Sequence, residues 1–405
     1  MVIERDIVVV GAGPVGLTAA LAIKAAGRDV TVIETGSRDR VRPGSRAIFL
    51  HRVTLELLDS IRGGLGAELV RRGLVWRTKR TLYRGREVYR RTYKPVPAGA
   101  LPSATNLPQV VTEAVLLQAC MDAGVEFVWN AEVVTAKADG QGVVLDTSDG
   151  RRISARYVVG ADGARSVVRD STGLHLEGPR TSNAYVIVDV AEDPVEPLPL
   201  ERVFHYEHPR VGFRNVLFVP FAGHWRVDLQ CHPDDDPGVY SSDAGVRNWL
   251  ARVMPAKYAD RVTWVSSYVF RQAIASSLTD DTRRVLLVGE AAHLFAPFGA
   301  RGLNSGVADA VMAARAIDSA LRAQTNAAAA RFVDEFAVAR RAAAARNRAA
   351  SSAALAHLQA ASPARRRLRR AAARVAPFVT SAGRWLDRAP FGPRLGDPDP
   401  YGMHY

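Results

Sequence analysis

Two glycine-rich turns, far apart in the chain, carry the residues whose types and spacing promise chemistry. Ile7-Val8-Val9-Val10 runs into Gly11-Ala12-Gly13-Pro14-Val15-Gly16. Val285-Leu286-Leu287-Val288 runs into Gly289-Glu290-Ala291-Ala292-His293, with Pro297, Gly299, Gly302 and Asn304 beyond. In each, an apolar strand breaks at glycine and hands over to a helix of small residues. In the first turn Gly11 permits the tight bend, Gly13 lets a pyrophosphate approach the backbone, and Gly16 lets the helix pack on the strand. A helix start offers free N–H groups and partial positive charge to phosphate oxygens. Glu34 ends the next strand, 18 residues beyond Gly16, where a carboxylate accepts from ribose hydroxyls. A carboxylate there suits a free 2′-hydroxyl, so FAD or NAD rather than NADP. One such turn implies a dinucleotide. Two imply a dinucleotide held from both ends, the pattern of a flavin site.

Periodicity and punctuation predict the elements that position these residues. Residues 1–77 read as strand, helix (17–26) and strand (30–33), then a helix around 52–65. A strand-like stretch at 81–93 and a proline-rich link lead to a helix at 112–123 and strands at 126–128, 132–138 and 157–159. The last of these ends in Gly160-Ala161-Asp162-Gly163. Residues 176–280 alternate as strands (184–190, 202–206, 215–219, 224–230, 263–270) with one helix at 244–253. Beyond 285 the chain returns to strand and helix, stays helical to about 385, and closes in a Pro/Gly-rich tail at 390–405. The predicted fold class is α/β. A discontinuous Rossmann-type domain (1–77, 104–175, 281–330) accepts an inserted, mostly antiparallel β-sheet domain (78–103, 176–280), and C-terminal helices and the tail follow (331–405).

A chain of 405 residues is ample for two cores, and its 48% hydrophobic and 23% charged content is that of a globular protein. No apolar run reaches the roughly 18 residues that span a bilayer, and residues 1–10 leave no room for a signal peptide. Cys120 and Cys231 are the only cysteines, so neither a disulfide scaffold nor a cysteine zinc site is expected. His205, His208, His224 and His232 lack metal spacing, and no metal is expected. A reducing cytoplasm is the default setting. The net charge of +13 is concentrated: residues 331–374 hold eleven arginines against Asp334 and Glu335. No aromatic interleaves with the run from Arg365 to Arg370, as base stacking would favour. The expectation is a solvated helical pair with no nucleic-acid partner, leaving weak association with an anionic surface open.

The three glycine motifs, in this order and spacing, resemble the single-component flavoprotein aromatic hydroxylases of the para-hydroxybenzoate hydroxylase type. The resemblance runs from residue 1 to about 390. It includes Ser45-Arg46-Ala47, His51, Thr54-Leu55-Glu56, and Leu107-Pro108-Gln109 ahead of Glu113. It implies FAD, with Gly11, Gly13, Pro14, Val15, Gly16, Glu34 and Thr35 around the AMP half. Arg46 and Gln109 would contact the flavin. Asp162 and Gly163 would serve both FAD and the pyrophosphate of NADH or NADPH. Gly289 and Glu290 would meet the ribityl chain, and Pro297 the flavin face where O2 reacts. Backbone N–H groups at Gly302, Leu303 and Asn304 would face the pyrimidine end, where reduced flavin is negative.

Three departures from the family pattern stand out. Glu290 replaces the usual Asp, Arg52-Val53 displaces the arginine before Thr54, and Ala300-Arg301 stands where Gly and another residue are usual. Arg301 is therefore either a catalytic cation, stabilising anionic flavin or an acidic substrate, or a solvated cation at a helix start. His293 is read as packing or hydrogen-bonding beside the flavin loop.

The resemblance implies that NAD(P)H reduces FAD and that a flavin C4a-hydroperoxide hydroxylates a small phenolic or polycyclic aromatic substrate. The protein itself is read as a monomer or homodimer. Tyr206, His205 and His224 are candidates for a substrate-deprotonating base, each with packing as the competing role. Two alternatives stay open. One is flavin redox chemistry without ring hydroxylation, as in epoxidation or prenyl-lipid reduction; halogenation is disfavoured by the missing Trp-x-Trp-x-x-Ile segment. The other is a flavin-binding protein that has lost turnover. The resemblance is expected to be to the short members, without the long thioredoxin-like C-terminal extension of some larger relatives.

Overall fold

The structure is a computed structural model that describes residues 2–40 and 42–392; most of the expected 390–405 tail lies outside them. The apolar run of the first strand, Val2–Val10, is explained by its position. It pairs in parallel with Thr31–Ile33 on one side and Arg152–Gly160 on the other, and Ile7 to Val10 are buried. Val285–Leu287 adds in parallel to Arg152–Gly160, so a strand remote in sequence completes this sheet. The register places Ile33, Val10, Gly160 and Leu287 side by side. The segments that follow them (Glu34, Gly11, Asp162 and Gly289) therefore emerge along one crevice at the strand ends, where open α/β sheets bind ligands.

Behind that crevice, the helices Pro14–Ala25 and Arg301–Arg322 pack together. Their close approach needs glycine. A Cβ on Gly306 would stand 2.6 Å from a γ-carbon of Val15, and one on Gly289 would stand 3.1 Å away. The two glycine-rich turns are thus joined through one side chain.

The segments expected to form the second domain share one seven-stranded sheet. Its order is Val262–Arg271, Arg180–Ala191, His224–Gln230, Arg214–Phe221, Glu201–His208, Thr78–Tyr83, Arg86–Thr92. All pairings are antiparallel except that of Thr78–Tyr83 with Glu201–His208. The stretch expected at 81–93 is a hairpin beginning at Thr78, turned by Arg84 (φ 51°) and Gly85 (φ 85°), as a two-residue turn of matching twist requires. One face of the sheet is aliphatic: Val186, Val188, Val227 and Leu229 pack with Trp249 and Leu250 of the helix Asp243–Val253. The other faces the nucleotide domain, where Val219 and Phe221 pack on Ile48.

The helix expected at 52–65 is two, Arg52–Ile61 and Leu65–Arg72, because Gly64 takes a left-handed conformation (φ 83°) between them. The C-terminal region comprises Asn326–Gln359, Pro363–Val375 and Thr380–Arg388. No helix among the described residues is long and apolar enough to cross a membrane. Nor do the described residues hold a group of three or more His, Cys, Asp or Glu able to bind a metal.

Candidate active site

The first turn is built as its glycines demand. Gly11 has φ 102° and its N–H donates to Ile33 O at 2.8 Å. A Cβ on Gly16 would sit 1.9 Å from Gly11 O. Pro14 occupies the first turn of its helix, where its missing N–H costs nothing. Gly13 differs, since a Cβ there would meet only Arg42 Nη1, at 3.9 Å, so its bare backbone fronts open space. Glu34 is buried, accepting from Ala12 N–H at 2.7 Å and Gly36 N–H at 3.0 Å. These bonds leave further lone pairs for hydroxyl donors. Thr35, next along, is exposed. Sequence reasoning missed Arg40 and Arg42. Arg40 donates to Ala12 O at 2.6 Å, and the two guanidinium groups lie 3.6 and 3.7 Å from Glu34. They bring positive charge to the turn; the alternation Arg38, Arg40, Arg42 was the available signal.

Further along the crevice, Asp162 accepts from Val168 N–H at 3.1 Å through Oδ2, while its buried Oδ1 has no partner. Burial pushes this carboxyl up despite hydrogen bonds from Ser166 and Val168. Gly163 (φ 81°) has nothing within 4 Å of its Cβ position. Glu290 is exposed by surface area, yet protein encloses it closely enough that burial raises its pKa, with His293 and Arg46 opposing. Both statements hold for a side chain lining an enclosed cleft. The helix Arg301–Arg322 has no side-chain cap, its preceding residue Ala300 is left-handed (φ 54°), and Gly302 has nothing within 4 Å of its Cβ position. Its first N–H groups are therefore available. Leu303 is half-buried, and Pro297 is exposed beside the helix start. The Asn304 side chain is a clamp: it donates to Phe49 O and Ala300 O and accepts from His51 N–H and Thr54 Oγ.

The open backbone at Gly13 and Gly163, the orphaned Asp162 oxygen, the uncapped helix and the enclosed Glu290 together fit an extended dinucleotide such as FAD.

The turn carrying Arg46 is held from the sheet domain. Buried Asp189 accepts from Ser45 N–H at 2.6 Å and Ser45 Oγ at 2.7 Å, and Arg226 donates to Arg46 O. Arg46 itself is left-handed (φ 50°). Gln109 closes the turn from the other side, its N–H donating to Ser45 O and its Oε1 accepting from Ala47 N–H at 3.4 Å.

Beneath the second turn lies a fully buried ionic group. Asp309 accepts from Arg340 Nε at 2.7 Å and from Gly289 N–H at 3.1 Å, and its Oδ2 is 2.6 Å from His293 Nε2. His293 is thus a hydrogen-bonding residue of the flavin loop. Arg301 is not the solvated cation of one expectation. Its guanidinium donates to Asn347 Oδ1 at 2.8 Å and Phe391 O at 3.0 Å, tying the turn to the C-terminal helices.

Over the crevice the sheet presents Tyr185, its ring tilted against Phe270 (5.0 Å) and edge-on to Phe298 (5.7 Å), with Tyr268 beyond. The Tyr185 hydroxyl is buried without a partner, and burial holds its pKa well above the usual phenol value. Tyr268 lies close enough to Glu290 for that carboxylate to add to the effect of burial in raising its pKa. Two of the three expected base candidates are already engaged. Tyr206 is bonded to His357 and Leu386 O. His205, with a pKa pushed down to about 3 by burial, accepts from Gly85 N–H. His224 lies at an exposed hairpin turn, bonded to Ala222 O.

Residues 4–351 match the family described as FAD binding domain. The chain is 32% identical over 317 residues to 6-methylpretetramide 4-monooxygenase of Streptomyces rimosus, covering 75% of this chain and 54% of that protein. It is 30% identical over 352 residues to para-nitrophenol 4-monooxygenase of Pseudomonas sp. strain WBC-3, covering 83% and 82%. Its fold superposes on p-nitrophenol 4-monooxygenase PnpA from Pseudomonas putida DLL-E4 with a TM-score of 0.76 and 27% identity, covering 98% and 100%. The chain spans about half the length of several curated relatives it matches. With its motifs, its crevice and this match in agreement, the chain belongs to the FAD-binding domain family of flavoprotein aromatic monooxygenases.

Proposed function

We propose that this protein is an FAD-dependent monooxygenase that hydroxylates a phenolic or polycyclic aromatic substrate. The balanced reaction is ArH + O2 + NAD(P)H + H⁺ → ArOH + NAD(P)⁺ + H2O. The observation that carries it is the placement of two joined glycine turns opposite an aromatic wall with an unpartnered buried hydroxyl at Tyr185. Bound FAD supplies the electron transfer and the oxygen activation. The chain's own residues do the rest. Gly11, Gly13 and Gly16, with Glu34, Arg40 and Arg42, would hold the AMP and pyrophosphate. Asp162, Gly163 and Glu290 would receive the middle of the cofactor. The uncapped N–H groups from Gly302 onward would favour negative charge on its far end. Pro297 would line the reacting face, and Phe270 and Phe298 would exclude water and orient a ring. Free, buried Cys120 and Cys231 suit a reducing compartment, and the proposal sets the enzyme in the cytoplasm.

The test is NAD(P)H consumption by the FAD-loaded protein, with both nicotinamides and a panel of phenols and polycyclic aromatics. Oxidation is expected to be slow alone, accelerated by an effective aromatic, and accompanied by hydroxylated product. Fast oxidation yielding stoichiometric peroxide with every aromatic would overturn hydroxylation and leave an oxidase or an uncoupled relic. Reduction without oxygen insertion would move the reading to the other flavin chemistries.

Tyr185→Phe separates the wall from the fold. The hydroxyl bonds nothing here, so the melting temperature should hold or rise. A substrate that bonds it should show KM raised about three- to tenfold, the equivalent of one neutral hydrogen bond. An unchanged KM for every accepted substrate would remove Tyr185 from the binding wall.

A further inference from the structure

The helix Pro363–Val375 has two faces of different character. Arg369, Ala373 and Ala376 follow one another at helical spacing and are buried. The opposite stripe runs through Arg367, Leu368, Ala371, Arg374 and Val375, all exposed, and continues through the following turn to Phe378 and Val379. Leu368 is 59% and Phe378 86% exposed, a large apolar area to leave in water. Around these side chains stand Arg365, Arg366, Arg370 and Arg384, also exposed. Among the described residues from 361 onward the one acid is Asp387, buried against Lys79, while Glu207 of the sheet pairs with Arg369 on the buried face and with Arg84 of the hairpin. Beside the stripe, Arg370 and Arg374 join Arg84, Arg86 and Tyr83 of the sheet hairpin around a cavity of about 200 Å³.

We propose that this face docks onto an anionic membrane surface, with Leu368, Val375, Phe378 and Val379 entering the acyl boundary and the surrounding arginines meeting lipid phosphates. A basic stripe with apolar residues beside it is the arrangement of a helix lying in the interfacial plane. Guanidinium groups suit phosphate through paired N–H bonds, and their long stems let them reach headgroups while the neighbouring apolar groups sit deeper. At the Arg84–Arg374 cavity Glu207 already answers Arg84, which leaves Arg86, Arg370 and Arg374 to face phosphate. A second copy of the chain is a poor occupant, because a two-fold contact through this stripe would set arginine against arginine. A nucleic acid would satisfy the arginines but leave the aliphatic Leu368, Val375 and Val379 without partners. The inference stands apart from the proposed reaction, and its test needs no turnover.

The FAD-loaded protein is sedimented with vesicles of phosphatidylcholine alone and of phosphatidylcholine containing about a third phosphatidylglycerol. Binding is expected to be at least about tenfold tighter on the anionic vesicles and to weaken steeply with salt. Arg367→Glu with Arg374→Glu should abolish it. Phe378→Ser should weaken it about tenfold or more, with melting temperature and flavin content unchanged, since the side chain supports nothing else. Equal sedimentation with both vesicle types, or with neither, overturns the proposal. Binding that needs the arginines but ignores Phe378→Ser identifies a surface for a soluble polyanion or an acidic protein, and overturns the lipid assignment as well.

Discussion

Replacing Gly13 by valine is expected to abolish FAD retention while leaving the fold intact. The backbone there (φ −75°, ψ 176°) is extended and open to any L-residue. An added Cβ would meet only the far end of Arg42, at 3.9 Å. The cost therefore falls on the ligand: a branched side chain fills the space where a pyrophosphate must approach the N–H groups of the helix start. Gly11→Val and Gly16→Val would be poor tests, because their Cβ atoms collide with backbone at 2.6 and 1.9 Å and the fold itself would suffer. The purified Gly13→Val protein should be colourless and melt like the apoprotein. FAD affinity, followed by flavin fluorescence, should fall at least about a hundredfold, the loss of about 2.7 kcal/mol of binding. A variant that purifies yellow with ordinary affinity would show that this turn does not hold the cofactor.

The second large effect is expected at Asp309. Its carboxylate balances Arg340 and His293 at a site where all three side chains are almost wholly excluded from water. Asp309→Ala removes the carboxylate paired with the buried Arg340 guanidinium, a change that costs about 3–5 kcal/mol. It also frees the N–H of Gly289, so cofactor affinity should drop with stability. Urea unfolding reads the first effect and a flavin titration the second. The paired change Asp309→Leu with Arg340→Met should recover much of the lost stability, because two apolar groups need no counter-charge. A single variant within about 0.5 kcal/mol of the parent would mean that the group holds nothing. The same group sets a pH dependence. Burial pushes the Asp309 carboxyl up, but His293 and Arg340 outweigh it and leave the pKa below its ordinary 3.8. A depressed folded-state pKa gives stability that is complete above the unfolded value and lost as pH falls through the folded one. Acid unfolding of the parent should therefore steepen below about pH 4, and the double variant should lack that component.

What the sequence made legible were demands on the backbone. Gly11, Gly16 and Gly289 mark places where a Cβ does not fit, and apolar runs mark strands buried on both faces; neither needs knowledge of distant residues. The alternating strands between 184 and 270 were legible for the same reason. Pairings between elements were not. Nothing local to Asp309 announces Arg340, nothing near Ser45 announces Asp189, and Arg301 shows its bonds to Asn347 and Phe391 only once the C-terminal helices have folded back. Gly64 and the Arg84-Gly85 turn were visible as residues, yet whether a glycine interrupts a helix or a strand depends on the tertiary packing around it. The wall around Tyr185 was hidden too, because period-two alternation names two faces of a sheet without saying which one meets the cofactor crevice.

The joining of the two glycine turns has a kinetic corollary. Val15 rests against Gly289 and Gly306, and His51 bonds Asn304 across 253 residues of chain. Contacts of such high sequence separation slow folding, so a nascent chain that has completed only its first strand–helix–strand holds one of the two turns and lacks the other. Equilibrium treats the same span leniently. Loop-closure entropy grows only with the logarithm of length, so doubling the intervening segment costs roughly 0.6 kcal/mol. The chain between the two turns can lengthen or shorten at little entropic expense to the crevice, so long as Asp189 and Arg226 still hold the turn carrying Arg46. The same connectivity that delays assembly of the cofactor site leaves its substrate wall free to diversify.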